Sequence, residues 1–404
     1  MQQNLSRRDC FALGLAAVAS CAPVRGEETA LAGQMPGTLN ALAKEKGLMF
    51  GSCLGTGPSG ASRSGSPARL PEGKRANSFE DLNIRALVIE QCGMIVPENE
   101  LKWYALRRSP IDFDFRRADI LMDFAARNGL AVRGHTLLWN NAQWFPPWVA
   151  NYDFGARPRV EAERLLREHV TTVCTRYRGR IFAWDVVNET IDPETGEMRD
   201  TVFSRYLGPE VIDITFDAAR AAAPHAQLVY NDYMSWGPGN AKHRAGVLRL
   251  LERLKKNGVP VDALGVQSHI GPGATEAGPS FGAEDQAEWR RFIDEAIGMG
   301  LDIVITEFDV GDQTMPADIT ARDREVAALA RDYFDLMLSY RQLRYAMAWG
   351  LVDRYSWLED RWPRADGLPK RPCPYDDLYQ PKPLRAAIAD AFRAAPARPA
   401  MAIT

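Results

Sequence analysis

A chain of 404 residues with 46% hydrophobic and 25% charged side chains is long enough for one large single-core domain, or for two, and has the make-up of a soluble globular protein. Its formal net charge of −3 supplies no basic field for nucleic acid or anionic lipid, so a neutral or weakly polar substrate suits it better. Ten Trp residues exceed the needs of a core this size, and although most tryptophans pack interiors, their flat faces also stack on sugar rings.

Residues 1–26 read as a separate object. Arg7 and Arg8 precede FALGLAAVAS, an apolar run too short to cross a bilayer as a helix, and small residues follow it. The pattern resembles a twin-arginine export signal. VASC, ending at Cys21, also resembles a bacterial lipobox whose Cys would carry lipid; cleavage near Ala22 is the rival reading, and a soluble first helix the bland one. Export to the periplasm, to an outer-membrane anchorage or to the medium is the expectation, with residues 27–404 as the working domain. Of the six Cys residues, four lie beyond this signal, with no CxxC and no Cys/His cluster of metal spacing, so neither a metal nor a cofactor is implied. Cys53 and Cys92 fall near the ends of neighbouring strands and form a candidate disulfide; Cys174 and Cys373 read as inert thiols.

Eight short runs rich in Val, Ile, Leu and aromatics then recur along the chain, at residues 48–54, 93–99, 131–139, 181–189, 227–233, 263–269, 302–310 and 345–353. Amphipathic stretches such as ADILMDFAARNGL and AKHRAGVLRLLERLKKNG separate them, several ending in the Gly of a helix C-cap. Eight strand-helix units in regular alternation predict a single-domain (β/α)8 TIM barrel. Nearly every run begins apolar and ends in charged, amide, imidazole or aromatic residues, which is the polarity of a barrel whose C-terminal rim does chemistry. The Gly/Ser/Pro-rich segment 55–78 after the first run shapes that rim or is a solvated insertion. No linker or repeat interrupts residues 40–395, so an appended carbohydrate-binding module is not expected.

Two of the run ends carry carboxylates. Glu189 ends the fourth run and Glu307 lies in the seventh, on opposite sides of an eight-stranded barrel, where they face each other across the mouth. Carboxylates about 5–5.5 Å apart suit a retaining glycosidase, whereas roughly 6.5–9.5 Å leaves room for the water of an inverting one. Either Glu alone is equally a rim salt bridge. Asp185, four residues before Glu189 on the same strand face, is expected to support it and not to react. GPSFG (278–282) fits a nucleophile elbow in letters, but Ser280 lies in an irregular loop, and NET (188–190) is a glycosylation acceptor only formally.

WDVVNE and ITEFD, together with PENELKW, RGHTLLW, NDY, GVQSH and AWGLVDRYSW, resemble glycoside hydrolase family 10, the endo-β-1,4-xylanases, in the family's order and over about residues 40–390. The resemblance implies xylan or xylo-oligosaccharide as partner, with Glu189 as acid/base and Glu307 as nucleophile of a double displacement. It implies that His269 bonds the nucleophile, with Asp309 as its partner. Asn188 is matched to the residue that holds the 2-hydroxyl of the reacting sugar. Glu98, Asn99, Lys102, His135, Trp139 and Gln267 are matched to glycone contacts, Trp349 and Trp357 to stacking walls, and Tyr233 to the leaving-group side. A monomer is expected.

The chain departs from the family after Trp139. Where W-H-[S/N]-Q is common, Asn140, Asn141, Ala142 and Gln143 follow, then WFPPW, which puts the glycone contacts there in question. A barrel acting on another β-1,4-glycan is the rival within chemistry. A catalytically silent glycan-binding barrel anchored through Cys21 is the rival of another class.

Overall fold

The computed structural model describes residues 37–57, 77–273 and 280–401. The export-signal reading of residues 1–26, with Cys21, and most of the 55–78 segment lie outside these described residues.

Among them, nine strands run parallel: Met49–Leu54 (β1), Met94–Pro97 (β2), Ala131–Trp139 (β3), Ala183–Asn188 (β4), Gln227–Asp232 (β5), Ala263–Val266 (β6), His269–Ile270 (β7), Asp302–Val310 (β8) and Leu343–Ala348 (β9). The order β6-β5-β4-β3-β2-β1-β9-β8-β7, with β6 also paired to β8, closes the sheet on itself. β6 and β7 are two halves of one stave: β8 pairs with β6 through Ala263–Val266 and with β7 through His269 and Ile270. The eight expected runs are therefore the eight staves of a (β/α)8 barrel. The sixth is broken where Ser268 takes a φ of 64°, and the eighth ends at Ala348, short of the expected 353.

Apolar content on both strand faces makes such staves, because each is buried on both sides. In β2, Met94 and Val96 point into a core inside the barrel with Met49, Phe182, Val229 and Tyr345, while Ile95 points outward to the helices. The helix Arg116–Arg127 shows how the outer layer docks: Ala118, Leu121, Met122 and Ala125 recur at helical spacing on its buried face, and Gly129 follows at a positive φ of 64°.

The candidate Cys53–Cys92 disulfide is not formed; both residues, like Cys174 and Cys373, are buried thiols. Cys53 stands opposite Val96 in the β1/β2 register, four residues beyond Cys92, which caps the preceding helix. At about 3.3 Å per residue the two lie toward opposite ends of the barrel, far beyond the reach of a disulfide.

Candidate active site

The C-terminal strand ends surround a cleft of about 900 Å³. Glu98, Asn99, Lys102, His135, Trp139, Asn188, Glu189, Tyr233, Gln267, His269, Glu307, Trp349 and Trp357 all line it. Asp185 and Asp309 stand behind that wall, both buried.

Glu307 is 5% exposed, near the end of β8. Asn231 Nδ2 donates to its Oε1 at 2.8 Å, His269 Nε2 lies 3.4 Å from its Oε2, and His135 Nδ1 lies 3.9 Å from its Oε1. Burial alone would push this carboxyl up. The facing charges of His135, His269 and Lys102, with the His269 hydrogen bond, overcome burial and hold it down at about 2. His269 is itself held: Asp309 Oδ1 lies 2.8 Å from its Nδ1, and Trp357 Nε1 donates to Asp309 Oδ2 at 2.8 Å. Burial lowers the imidazole, but Asp309 and Glu307 outweigh that and raise it to about 10, so the ring is a cation between two carboxylates.

Glu189 is the first residue past β4 and takes a φ of 53°, a left-handed conformation uncommon for a residue with a side chain. Its N–H donates to Asn231 O at 3.0 Å and its carbonyl accepts from Arg199 Nε at 3.0 Å, which fixes the turn. The carboxyl oxygens are held separately: Trp139 Nε1 donates to Oε2 at 2.8 Å and Gln267 Nε2 to Oε1 at 2.9 Å. Burial raises this carboxyl, aided by the negative charges of Asp232 and Glu307, while the two hydrogen bonds only partly offset them. The proton affinities of two glutamates on one cleft are thus driven in opposite directions, which is the division of labour a general acid and a nucleophile need.

Asn188 links them. Its Oδ1 accepts from Asn231 Nδ2 at 2.9 Å and from Gln267 Nε2 at 3.3 Å, and those two amides also bind Glu307 and Glu189. Its buried Nδ2 has no protein acceptor among the described residues, which leaves a donor for a sugar hydroxyl.

The remaining walls follow from β2, β3 and β9. Lys102 Nζ donates to Asn99 Oδ1 at 3.0 Å and lies 4.7 Å over the Trp139 ring. Burial and the charge of Glu100 push the Glu98 carboxyl up to about 7, against the pull of Lys102. Trp349 meets His135 edge-on at 5.5 Å, and Trp357 lies 4.8 Å from His269. On the other side of Glu189, Tyr233 Oη accepts from Arg199 Nη2 at 2.8 Å.

His135, Asp185 and Glu307 bring donor atoms of metal-binding type within 4.8 Å of one another. Both Asp185 oxygens, however, accept from the buried Arg133 guanidinium, and one also lies 2.8 Å from His135 Nδ1. Arg133, Asp185 and His135 are a hydrogen-bonded set whose imidazole faces Glu307 at 3.9 Å, and not an open cage.

Four site residues were not singled out in the sequence: Asn231, Arg199, Arg133 and Trp144. Asn231, near the end of β5, and Arg133, early in β3, stand inside the NDY and RGHTLLW motifs, and Trp144 opens the WFPPW stretch; Arg199 comes from a loop without a pattern. The departure after Trp139 resolves into two parts. Asn140 turns away from the cleft, donating to Thr190 Oγ1 at 2.6 Å and accepting from Thr201 Oγ1 at 3.0 Å. Asn141 and the displaced Gln143 still line the cleft.

Known proteins are similar to this chain in sequence and fold. A beta-1,4-xylanase of Dictyoglomus thermophilum is 32% identical over 297 residues, covering 71% of this chain and 78% of the relative. An endo-1,4-beta-xylanase 5 of Pyricularia oryzae is 33% identical over 309 residues, 76% of this chain and 70% of that one. Among solved structures, native xylanase 10B of Thermotoga maritima is similar with a TM-score of 0.73 at 27% identity, over 88% of this chain and 98% of its own. Residues 67–391 match the family described as Glycosyl hydrolase family 10. With that match spanning most of its length, the chain belongs to glycosyl hydrolase family 10.

Proposed function

We propose that the protein is a retaining endo-β-1,4-xylanase. The observation that carries the reading is the opposed electrostatics of Glu189 and Glu307 in one cleft, one carboxyl raised and the other held at about 2. The relatives named as xylanases support xylan as the substrate.

Glu307 is poised to attack. Its carboxylate adds to the anomeric carbon as the glycosidic C–O bond breaks, and Glu189 gives its proton to the departing oxygen. Capture of Glu307 as an ester removes its negative charge, which lowers the affinity of Glu189 for a proton. Glu189 then takes a proton from water, the hydroxide attacks the same carbon, and Glu307 leaves as carboxylate with the anomeric configuration retained. Asn188 Nδ2 is the donor for the 2-hydroxyl, a bond that tightens as the ring acquires oxocarbenium character.

The test is release of reducing ends from xylan and from a soluble cellulose derivative. Xylan is expected to be strongly preferred, and Glu307→Ala and Glu189→Ala to lose on the order of 10³-fold or more in kcat. Unchanged turnover by Glu307→Ala sinks the mechanism, preference for the cellulose derivative sinks the substrate, and NMR detection of the α-anomer as first product sinks retention. Export through residues 1–26 belongs to the same proposal: replacing both Arg7 and Arg8 by Lys is expected to leave active enzyme inside the producing cell.

A further inference from the structure

Trp139 is the indole that reaches Glu189, and its ring is packed by two neighbours. Lys102 Nζ lies 4.7 Å over the ring, and Trp144 stacks on it at 4.4 Å with planes 16° apart. Both groups lie close to one ring centre, so together they restrict the Trp139 ring. The segment carrying Trp144 is tied to the strand end carrying Glu189. Asn140 N donates to Asn188 O at 3.2 Å, and Asn140 Nδ2 to Thr190 Oγ1 at 2.6 Å, so the residues before and after Glu189 both anchor it. From there Asn141 caps the single 3-10 turn Ala142–Trp144, its side chain accepting from Gln143 N at 3.2 Å and its carbonyl from Trp144 N at 2.9 Å. Against the common W-H-[S/N]-Q pattern, Asn140 replaces the His and Ala142 displaces the Gln to 143, while Asn141 fits it.

We propose that Trp144 is a positioning residue for proton transfer: stacked on the ring that Lys102 also contacts, it clamps Trp139 so that the Trp139 N–H keeps the Glu189 carboxyl oriented toward the scissile oxygen. This rests on the reading of Glu189 as the acid/base. Without the stack, Trp139 gains rotational freedom and Glu189 loses one of its two fixed donors. Proton delivery suffers from small misplacements, whereas a leaving group that departs as a stable anion needs no proton.

The experiment compares kcat/KM for phenyl β-xylobioside and 2,4-dinitrophenyl β-xylobioside, because this parameter reports the glycosylation step. Trp144→Ala is expected to lose about tenfold or more on the phenyl substrate and about threefold or less on the dinitrophenyl one. Trp144→Phe, which keeps a stacking ring, should recover most of the difference. The descending limb of the phenyl pH profile should move to higher pH in Trp144→Ala, because the Trp139 bond favours the ionised carboxyl. Trp144→Leu carries the same comparison should the alanine variant not fold. Equal losses on both substrates with an unmoved limb make Trp144 only a wall of the sugar site and overturn the proposal, as do unchanged kinetics. Glu189→Ala is measured alongside: equal losses there defeat the acid/base reading itself, a failure separable from that of Trp144.

Discussion

Glu307 owes its low affinity for protons to neighbours that are themselves held in place. Asp309 keeps His269 protonated, and Trp357 bonds the other Asp309 oxygen, so a wall of the cleft is hydrogen-bonded to the nucleophile's support. Asp309→Asn removes a full charge from a buried imidazole, so the His269 pKa falls from about 10 and Glu307 loses part of the cationic field that holds it near 2. The sign is fixed: a carboxyl losing cationic neighbours titrates at higher pH. The acid limb of the kcat/KM profile should therefore move upward by about one unit or more in Asp309→Asn, while the limb set by Glu189 stays. An unmoved acid limb would show that the Asp309 charge does not reach Glu307. Asp185 differs, because its carboxylate partners the fully buried Arg133 guanidinium as well as His135. Asp185→Asn strands that guanidinium and should cost about 3–5 kcal/mol of stability, read by denaturant unfolding of the variant, in addition to its effect on His135.

At the scale of the element, a barrel strand tolerates little extra volume. A Cβ on Gly51 of β1 would lie 2.4 Å from Met94 Cγ and 2.5 Å from the Met94 carbonyl oxygen, and backbone cannot step aside as a side chain can. Gly51→Ala should lower stability by about 1–3 kcal/mol in denaturant unfolding with an unchanged slope, and a wild-type midpoint would mean that β1 and β2 are free to part. The staves themselves were legible in the amino-acid sequence because strands buried on both faces leave continuous apolar runs, and polar residues at the run ends marked the reactive rim. Glu189, Glu307, His269 and Asp309 stood out because motif and strand end coincided. Less legible was whatever depends on the backbone leaving the strand: Ser268 and Glu189 sit at positive φ, which no pattern around them announced. Asn231 was missed for another reason. Its importance lies in spanning Asn188 and Glu307, residues 43 and 76 positions away, and such a bridge exists only once the sheet has closed. Trp144 likewise acquires a partner only through the turn that Asn141 caps.

Closure sets the stability of the whole molecule, because β1 pairs with β2 on one side and with β9 on the other, joining the two ends of the described chain. The final helix, Pro383–Ala394, seals that seam from outside: Leu384, Ile388 and Phe392 are buried, and Phe392 meets Phe50 of β1 and Phe334 of the helix Ile319–Ser339 at 5.9 and 6.2 Å. Arg385 Nη2 donates across the same seam to Gln91 Oε1 at 3.3 Å. Burying those three apolar side chains contributes about 1.5–3 kcal/mol each, together comparable to the ~5–15 kcal/mol that separates most folded domains from their unfolded states. Just ahead of the helix, Lys382 Nζ lies 3.0 Å from both oxygens of the buried Asp353, so losing this end also takes the ammonium from a buried carboxylate. A chain ending at Gln380 should therefore fail to unfold cooperatively and lose activity, although every residue lining the cleft remains. Phe392→Ala should fall between, with about 3–5 kcal/mol lost and activity kept at low temperature. Circular dichroism melts of the two variants decide it: a cooperative transition at the wild-type midpoint in the shortened chain would mean that the barrel closes without this helix.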